Sequence, residues 1–195
     1  MKYLHILLIL CSLAGFRVGA QSPTLRVFAF PQTIPERGVV QSWAVLFGGQ
    51  RFTFFPPLGW HMDANSALSR VTLTSPDLIS SITCKFTSIP AGTETNKLDK
   101  QLLARYPGGR VNQQIDCYCL GQKCPAFDMD VHSPRFGLVS RRIALVPFEG
   151  GTIEIAMTPG STSMDKLNFI FGNMLGSFQV QSGDPPNAAE AGSGK

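Results

Sequence analysis

Three cysteines fall within eight residues, Cys117-Tyr118-Cys119-Leu120-Gly121-Gln122-Lys123-Cys124, and this is the most chemically unusual stretch of the chain. Soft sulfurs at such spacing can wrap Zn or Cu, with His132 as a further ligand, or they can cycle as redox thiols. They can also simply close disulfides. Neither a Cys-x-x-Cys nor a paired zinc-ribbon spacing occurs, which weighs against the metal. A second set lies just downstream. Asp128, Asp130 and His132 alternate, so an extended strand puts two carboxylates and an imidazole on one face. That arrangement suits a hard or borderline cation, but a solvated outer face explains the same alternation with fewer assumptions.

Catalytic constellations fare worse. Ser163-Met164-Asp165-Lys166 matches the Ser-x-x-Lys of penicillin-recognising enzymes, yet no Ser-Asp-Asn or Lys-Thr-Gly partner follows and Ser163 sits where a helix begins. No Gly-x-Ser-x-Gly elbow appears. Only His61 and His132 lie beyond the leader to act as a base, and His61, beside Trp60, reads as an edge residue. The pairs Gly48-Gly49, Gly108-Gly109 and Gly150-Gly151 are turn formers without a phosphate-loop pattern. The expectation is a protein that is not an enzyme, with no catalytic residue and no cofactor.

These residues must be held by one domain's worth of chain. The 195 residues are 44% hydrophobic and 15% charged, a globular composition able to bury a core. Met1-Lys2-Tyr3 is a short positive start, Leu4 to Gly15 an apolar run, and Val18-Gly19-Ala20 a small-residue cleavage site. About a dozen apolar residues are too few to span a bilayer. A lipoprotein signal at Cys11 is disfavoured because Leu10 precedes it where a small residue is expected. Residues 1–20 therefore read as a signal peptide, with Gln21 the first mature residue and a secreted or periplasmic destination. No transmembrane segment is expected in the mature chain. Cleavage removes Lys2 and Arg17 and no acid, so 17 bases fall to 15 against 13 acids, near +2. That is too little charge to argue for nucleic acid. Four cysteines remain, Cys84, Cys117, Cys119 and Cys124. In an oxidising compartment an even number favours two disulfides, with three possible connectivities.

Residues 21–42 read as an N-terminal strand, Leu25 to Phe30, ended by Pro31 and followed by a polar connection. Trp43–Phe47 and Arg51–Phe55 pair as a hairpin across Gly48-Gly49. Pro56-Pro57 end that ladder, and Trp60 is large enough to serve as a buried anchor. Asp63 to Ser66 looks like a loop. Arg70–Thr74 and Ser81–Thr87 alternate as half-buried strands around the turn Ser75-Pro76-Asp77, with Cys84 on the apolar face. A helix begins near Thr95 or Asn96, carries Asp99 in its first turn and a stripe of Leu98, Leu102, Leu103 and Tyr106, and stops at Pro107-Gly108-Gly109. Val111, Ile115, Cys117 and Cys119 then share a strand face opposite Asp116 and Tyr118. Leu120 to Lys123 turns the chain into Phe127–Val131. Strands near 138–146 and 152–158 join through Glu149-Gly150-Gly151. The last helix is the cleanest, with Met164, Leu167, Ile170, Phe171, Met174, Leu175 and Phe178 on one face. Thr162 with Asp165 suits its start, and Gly176 the C′ position. Residues 181–195 are expected to be a disordered tail.

The strand faces allow a disulfide assignment. The core faces match if Ile115 lies near Phe127 and Val111 near Val131, which turns Cys119 inward and Cys124 outward. A Cys119–Cys124 bridge then needs a bulge, for which Pro125 is a place. Cys84 and Cys117, both inward, are the remaining pair.

The order of motifs resembles a known family. Phe52-Thr53-Phe54-Phe55-Pro56 with Gly59-Trp60, then Ser75-Pro76-Asp77, then a helix, a run of strands and Met174-Leu175-Gly176-Ser177-Phe178 are similar to the PsbP-like superfamily, which includes photosystem II extrinsic proteins and a Ran-binding nuclear import factor. The likeness spans roughly residues 43–180. It implies an α+β fold with a central antiparallel β-sheet flanked by helices on both faces, an α/β/α sandwich. It also implies a non-enzymatic binding or assembly module for a protein or cell-envelope partner, and does not imply a photosynthetic role. The alternative function is metal binding or thiol redox at Cys117, Cys119 and Cys124. Phe52, Phe54 and Trp60 are expected to form the seam beneath the last helix, which sends the search for function to the cysteine-rich turn.

Overall fold

In the computed structural model Gly48 and Gly49 adopt φ of 60° and 76°. This left-handed pair makes the tight turn whose twist matches two flanking strands. It folds β2 (Gly38–Phe47) onto β3 (Gln50–Phe54), with Trp43 opposite Phe54 and Phe47 opposite Gln50. The structure describes residues 24–36, 38–88, 95–133, 137–160 and 164–182. The expected signal peptide, Ser163, Thr162 and the tail beyond residue 182 lie outside them.

β1 (Arg26–Ile34) pairs with β2 on its other side and runs straight through Pro31, which lies opposite Gln41. The expected stop at Pro31 does not occur because β1 is an edge strand, where a missing N–H breaks no ladder. The expected polar connection is therefore a hairpin. β4 (His61–Asn65) pairs with β5 (Arg70–Thr74), so Asp63 to Asn65 is strand rather than loop. β6 (Ser81–Thr87), α1 (Thr95–Arg105), β7 (Arg110–Cys119), β8 (Gln122–Ser133), β9 (Gly137–Phe148), β10 (Gly151–Thr158) and α2 (Met164–Gly176) follow. The first turn of α1 holds no acid, Asp99 lying one residue beyond it. Gly176 closes α2 within the helix. The chain then continues as β11 (Gln179–Ser182), which pairs with β3, so Gln181 and Ser182 extend the sheet instead of opening a tail.

The strands form two antiparallel sheets. One has the order β1-β2-β3-β11, the other β4-β5-β6-β10-β9-β8-β7. One face of the larger sheet packs Val71, Ile82, Phe86, Ile153 and Ile155 against Phe52, Phe54 and the α2 residues Leu167, Phe171 and Met174. The other face packs Phe127, Met129, Ile143 and Leu145 beneath Leu98 and Leu102 of α1. The expected sandwich of helices on both faces is corrected accordingly. The fold is mostly antiparallel sheet, with two α-helices among the described residues, and a second sheet shares the α2 side. The early hairpin is part of that cover, because its alternating apolar side chains can be buried only against another sheet.

A bulge decides the cysteine register. β7 pairs Val111 with Met129 but Gln113 with Asp128, so Asn112 is the extra residue. Val111 consequently belongs with the α1 core, whereas Ile115, Cys117 and Cys119 face the α2 core. The sequence pattern, read without the bulge, assigned them all to one face.

Candidate functional site

Leu120 and Gly121, at φ of 52° and 72°, form the two-residue turn between β7 and β8. Counting back from it, Cys119 lies opposite Gln122, and Cys117 directly opposite Cys124. Both Cys119 and Cys124 are buried, which corrects the outward placement of Cys124; the expected pairing of Ile115 with Phe127 is displaced by one residue, to Ala126. Among the described residues no two cysteines are bonded, and Cys84, Cys117, Cys119 and Cys124 are all thiols. The Cys117 sulfur lies 3.4 Å from the Cys124 carbonyl oxygen, and the Cys124 sulfur 3.9 Å from that of Cys119. The hydrogen bond between the Cys117 and Cys124 thiols raises the first and lowers the second, so Cys124 is the readier thiolate. Burial pushes Cys84 and Cys119 well above the ordinary thiol range.

The Asp128, Asp130 and His132 face is occupied by protein partners. Arg142 donates Nε and Nη2 to the two Asp128 oxygens at 2.6 and 2.7 Å, and its Nη1 to Asn168 of α2. Asp130 accepts from Asn112 at 2.9 Å, Ser140 at 2.7 Å and Arg110 at 3.4 Å. These donors hold the Asp130 carboxyl below its usual range, Asn112 most of all. Asp128 is held beneath α2 through Arg142 and Asn168, whereas Asp130, ringed by exposed Arg110, Asn112 and Ser140, and exposed His132 lie on the solvated part of this face. His132 and His61 are exposed at strand ends. Among the described residues no three His, Cys, Asp or Glu side chains converge as a cation requires.

The residues set aside as a structural seam divide. Phe52 and Phe54 are buried, as expected. Trp60 is only half-buried, and with Trp43, Phe55, Pro56 and Pro57 it lines an open groove of about 620 Å³. Ile34, Val39 and Val40, at the tip of the β1–β2 hairpin, form the other wall. No residue of β1, and none of β2 before Ser42, is buried, so this arm projects from the core. Val39 is 72% exposed and Leu58 fully so. Pro56 and Pro57 hold the segment off the sheet, which leaves Trp60 at a rim rather than at the centre. The sequence signal was present in the aromatic-proline run; the depth of each ring was not.

No family model and no curated protein matches the chain. Among solved structures, the chain is similar to the solution structure of cyanobacterial PsbP (CyanoP) from Synechocystis sp. PCC 6803. The match covers 84% of this chain and 96% of that one, at a TM-score of 0.49 and 14% identity. No helix among the described residues is long and apolar enough to cross a membrane.

Proposed function

We propose that this chain is an exported, non-enzymatic binding or assembly module that holds an apolar segment of a protein partner in the Trp43–Trp60 groove. One observation carries the reading: two tryptophans, three apolar residues of a projecting hairpin and a Phe-Pro-Pro run meet in one open groove. Exposed apolar surface of this kind costs solubility and is kept where a partner covers it. Rigid aromatic rims and prolines suit an extended apolar or proline-containing segment, whose ordering cost is small. Export rests on the leader read from residues 1–20.

The test places a photo-crosslinking residue at Leu58 and, as control, at Leu138, which is exposed on β9. In the cell fraction where the protein resides, a defined adduct forms from Leu58 and not from Leu138. Trp60→Ala reduces it by about thirtyfold in affinity, as loss of an aromatic anchor worth about 2 kcal/mol would. Equal adducts from both positions, or an adduct indifferent to Trp60→Ala, would remove the groove from consideration.

A further inference from the structure

On the α1 face of the larger sheet, Leu98 and Leu102 cover β8 and β9 but leave the β5 and β6 side to polar residues. Alternation puts Arg70 of β5, Ser81, Thr83 and Lys85 of β6, and Glu154 and Thr158 of β10 on this face. With Arg105 and Tyr106 at the end of α1, and Arg141 of β9, they line a recess of about 400 Å³. The recess holds four bases and one carboxylate.

That carboxylate is already committed. Tyr106 donates its hydroxyl to Glu154 Oε1 at 2.6 Å, and Arg105 pairs with Oε2. Burial, and then the Glu154 charge, push the Tyr106 phenol up, so it remains a donor to that carboxylate. Arg70, Lys85 and Arg141 have no ion pair among the described residues. Arg70 and Lys85 lie directly opposite each other on paired strands. Like charges in that position repel. The Nε atoms of Arg70 and Arg141 are both buried and meet no protein acceptor. A buried donor without an acceptor costs roughly as much as a lost hydrogen bond, and two beside a cluster of cations call for an anion.

We propose that this recess binds a tetrahedral oxyanion, a phosphate or sulfate group, between the guanidinium groups of Arg70 and Arg141, with Lys85 and the hydroxyls of Ser81, Thr83 and Thr158 around it. Planar guanidinium forks suit such oxygens, and hydroxyl groups supply the neutral donors that remain. The group comes either from a free inorganic ion or from an anionic lipid headgroup. The site stands apart from the aromatic groove and does not depend on it.

The experiment follows the arginine Nε–H signals of the full mature protein by NMR at constant ionic strength. One arm adds inorganic phosphate, one inorganic sulfate, one a dispersed short-chain phosphatidylglycerol, and a control adds chloride. The Arg70 and Arg141 signals, assigned by their loss in Arg70→Gln and Arg141→Gln, move saturably with an oxyanion and not with chloride. Either arginine variant weakens binding roughly tenfold, as loss of one charge-assisted contact predicts. Lys85→Gln, at an exposed position that leaves the fold intact, weakens it severalfold. Saturation by phosphate or sulfate supports the site with a free ion as the source; saturation by the lipid alone supports it with a headgroup as the source. No saturable shift in any of the three oxyanion arms, an equal shift with chloride, or affinity unchanged by Lys85→Gln and both arginine variants overturns the proposal.

Discussion

Phe54 lies flat on Phe178, the ring centroids 4.7 Å apart and the planes 7° from parallel. Beside that stack, Ser177 Oγ accepts the Phe55 N–H at 3.0 Å and donates to the Met174 carbonyl at 2.7 Å. The hairpin strand and the end of α2 are thus joined by one ring pair and one hydroxyl across more than a hundred residues of chain. Phe178→Ala is expected to cost about 3–5 kcal/mol of unfolding free energy, the usual penalty for emptying a buried phenylalanine site. Denaturant unfolding measures it, and a double-mutant cycle with Phe54→Leu is expected to give a coupling of about 0.5–1.5 kcal/mol. Additive single effects would mean the stack contributes only its burial.

The Asp128–Arg142 pair, on the neighbouring strands β8 and β9, holds α2 to the larger sheet through Asn168. Both side chains are largely shielded, at 24% and 15% exposure. Removing one partner leaves the other charge without compensation, so Asp128→Asn is expected to destabilise the fold by about 2–3 kcal/mol. Asn168→Ala is expected to cost less, since Arg142 keeps its carboxylate. The order of the two midpoints in urea decides this.

Asp130 supplies a pH dependence of defined sign. Its donors lower the folded pKa below the unfolded value of about 3.9. Its stabilisation is therefore complete above that unfolded value and is lost as pH falls through the folded one. Asp130→Asn is expected to be less stable than the parent at pH 7, and the gap is expected to narrow as pH falls below the unfolded value and through the lowered folded one. Unfolding midpoints measured from pH 7 down to pH 2 provide the comparison; a constant gap would contradict it.

Cys117 and Cys124 are expected to be the first thiols to oxidise. Directly opposed strand residues have Cα atoms about 4.5–5.5 Å apart, within the range a disulfide spans. Given a small-molecule disulfide as oxidant, the Cys124 thiolate attacks it and one donor thiol leaves. Cys117 then displaces the second donor thiol and closes the bridge, giving up its proton. Cys84 and Cys119 react more slowly, because burial keeps their thiols protonated, whereas the Cys117 contact favours the Cys124 thiolate. Peptide mapping under non-reducing conditions is expected to show Cys117–Cys124 before any other link; Cys119–Cys124 as the first product would reverse the assignment.

Legibility in the sequence followed the range of each interaction. The Gly48-Gly49 hairpin, the Ser75-Pro76-Asp77 turn, the β9–β10 connection and the apolar stripe of α2 are set by neighbours a few residues away, and the chain states them openly. The bulge at Asn112 left no such mark: a single extra residue in β7 changes which face every later side chain takes, and only the partner strand reveals it. Pro31 looked like a strand end because its position at a sheet edge is a property of the whole sheet.

The sequence by itself determined the Gly48-Gly49 and Gly150-Gly151 hairpins, both helices and the candidate chemistry-bearing residues, because alternation, turn glycines and helical spacing are local codes. Tertiary structure alone decided that Cys117 rather than Cys119 meets Cys124, and that Asp128 and Asp130 serve Arg142, Asn112 and Ser140. It also decided that Trp60 stops at the rim of a groove, and that Arg70, Lys85 and Arg141 gather around one recess. Each of these depends on register and burial between segments far apart in the chain, where the energy lies in contacts no single segment contains.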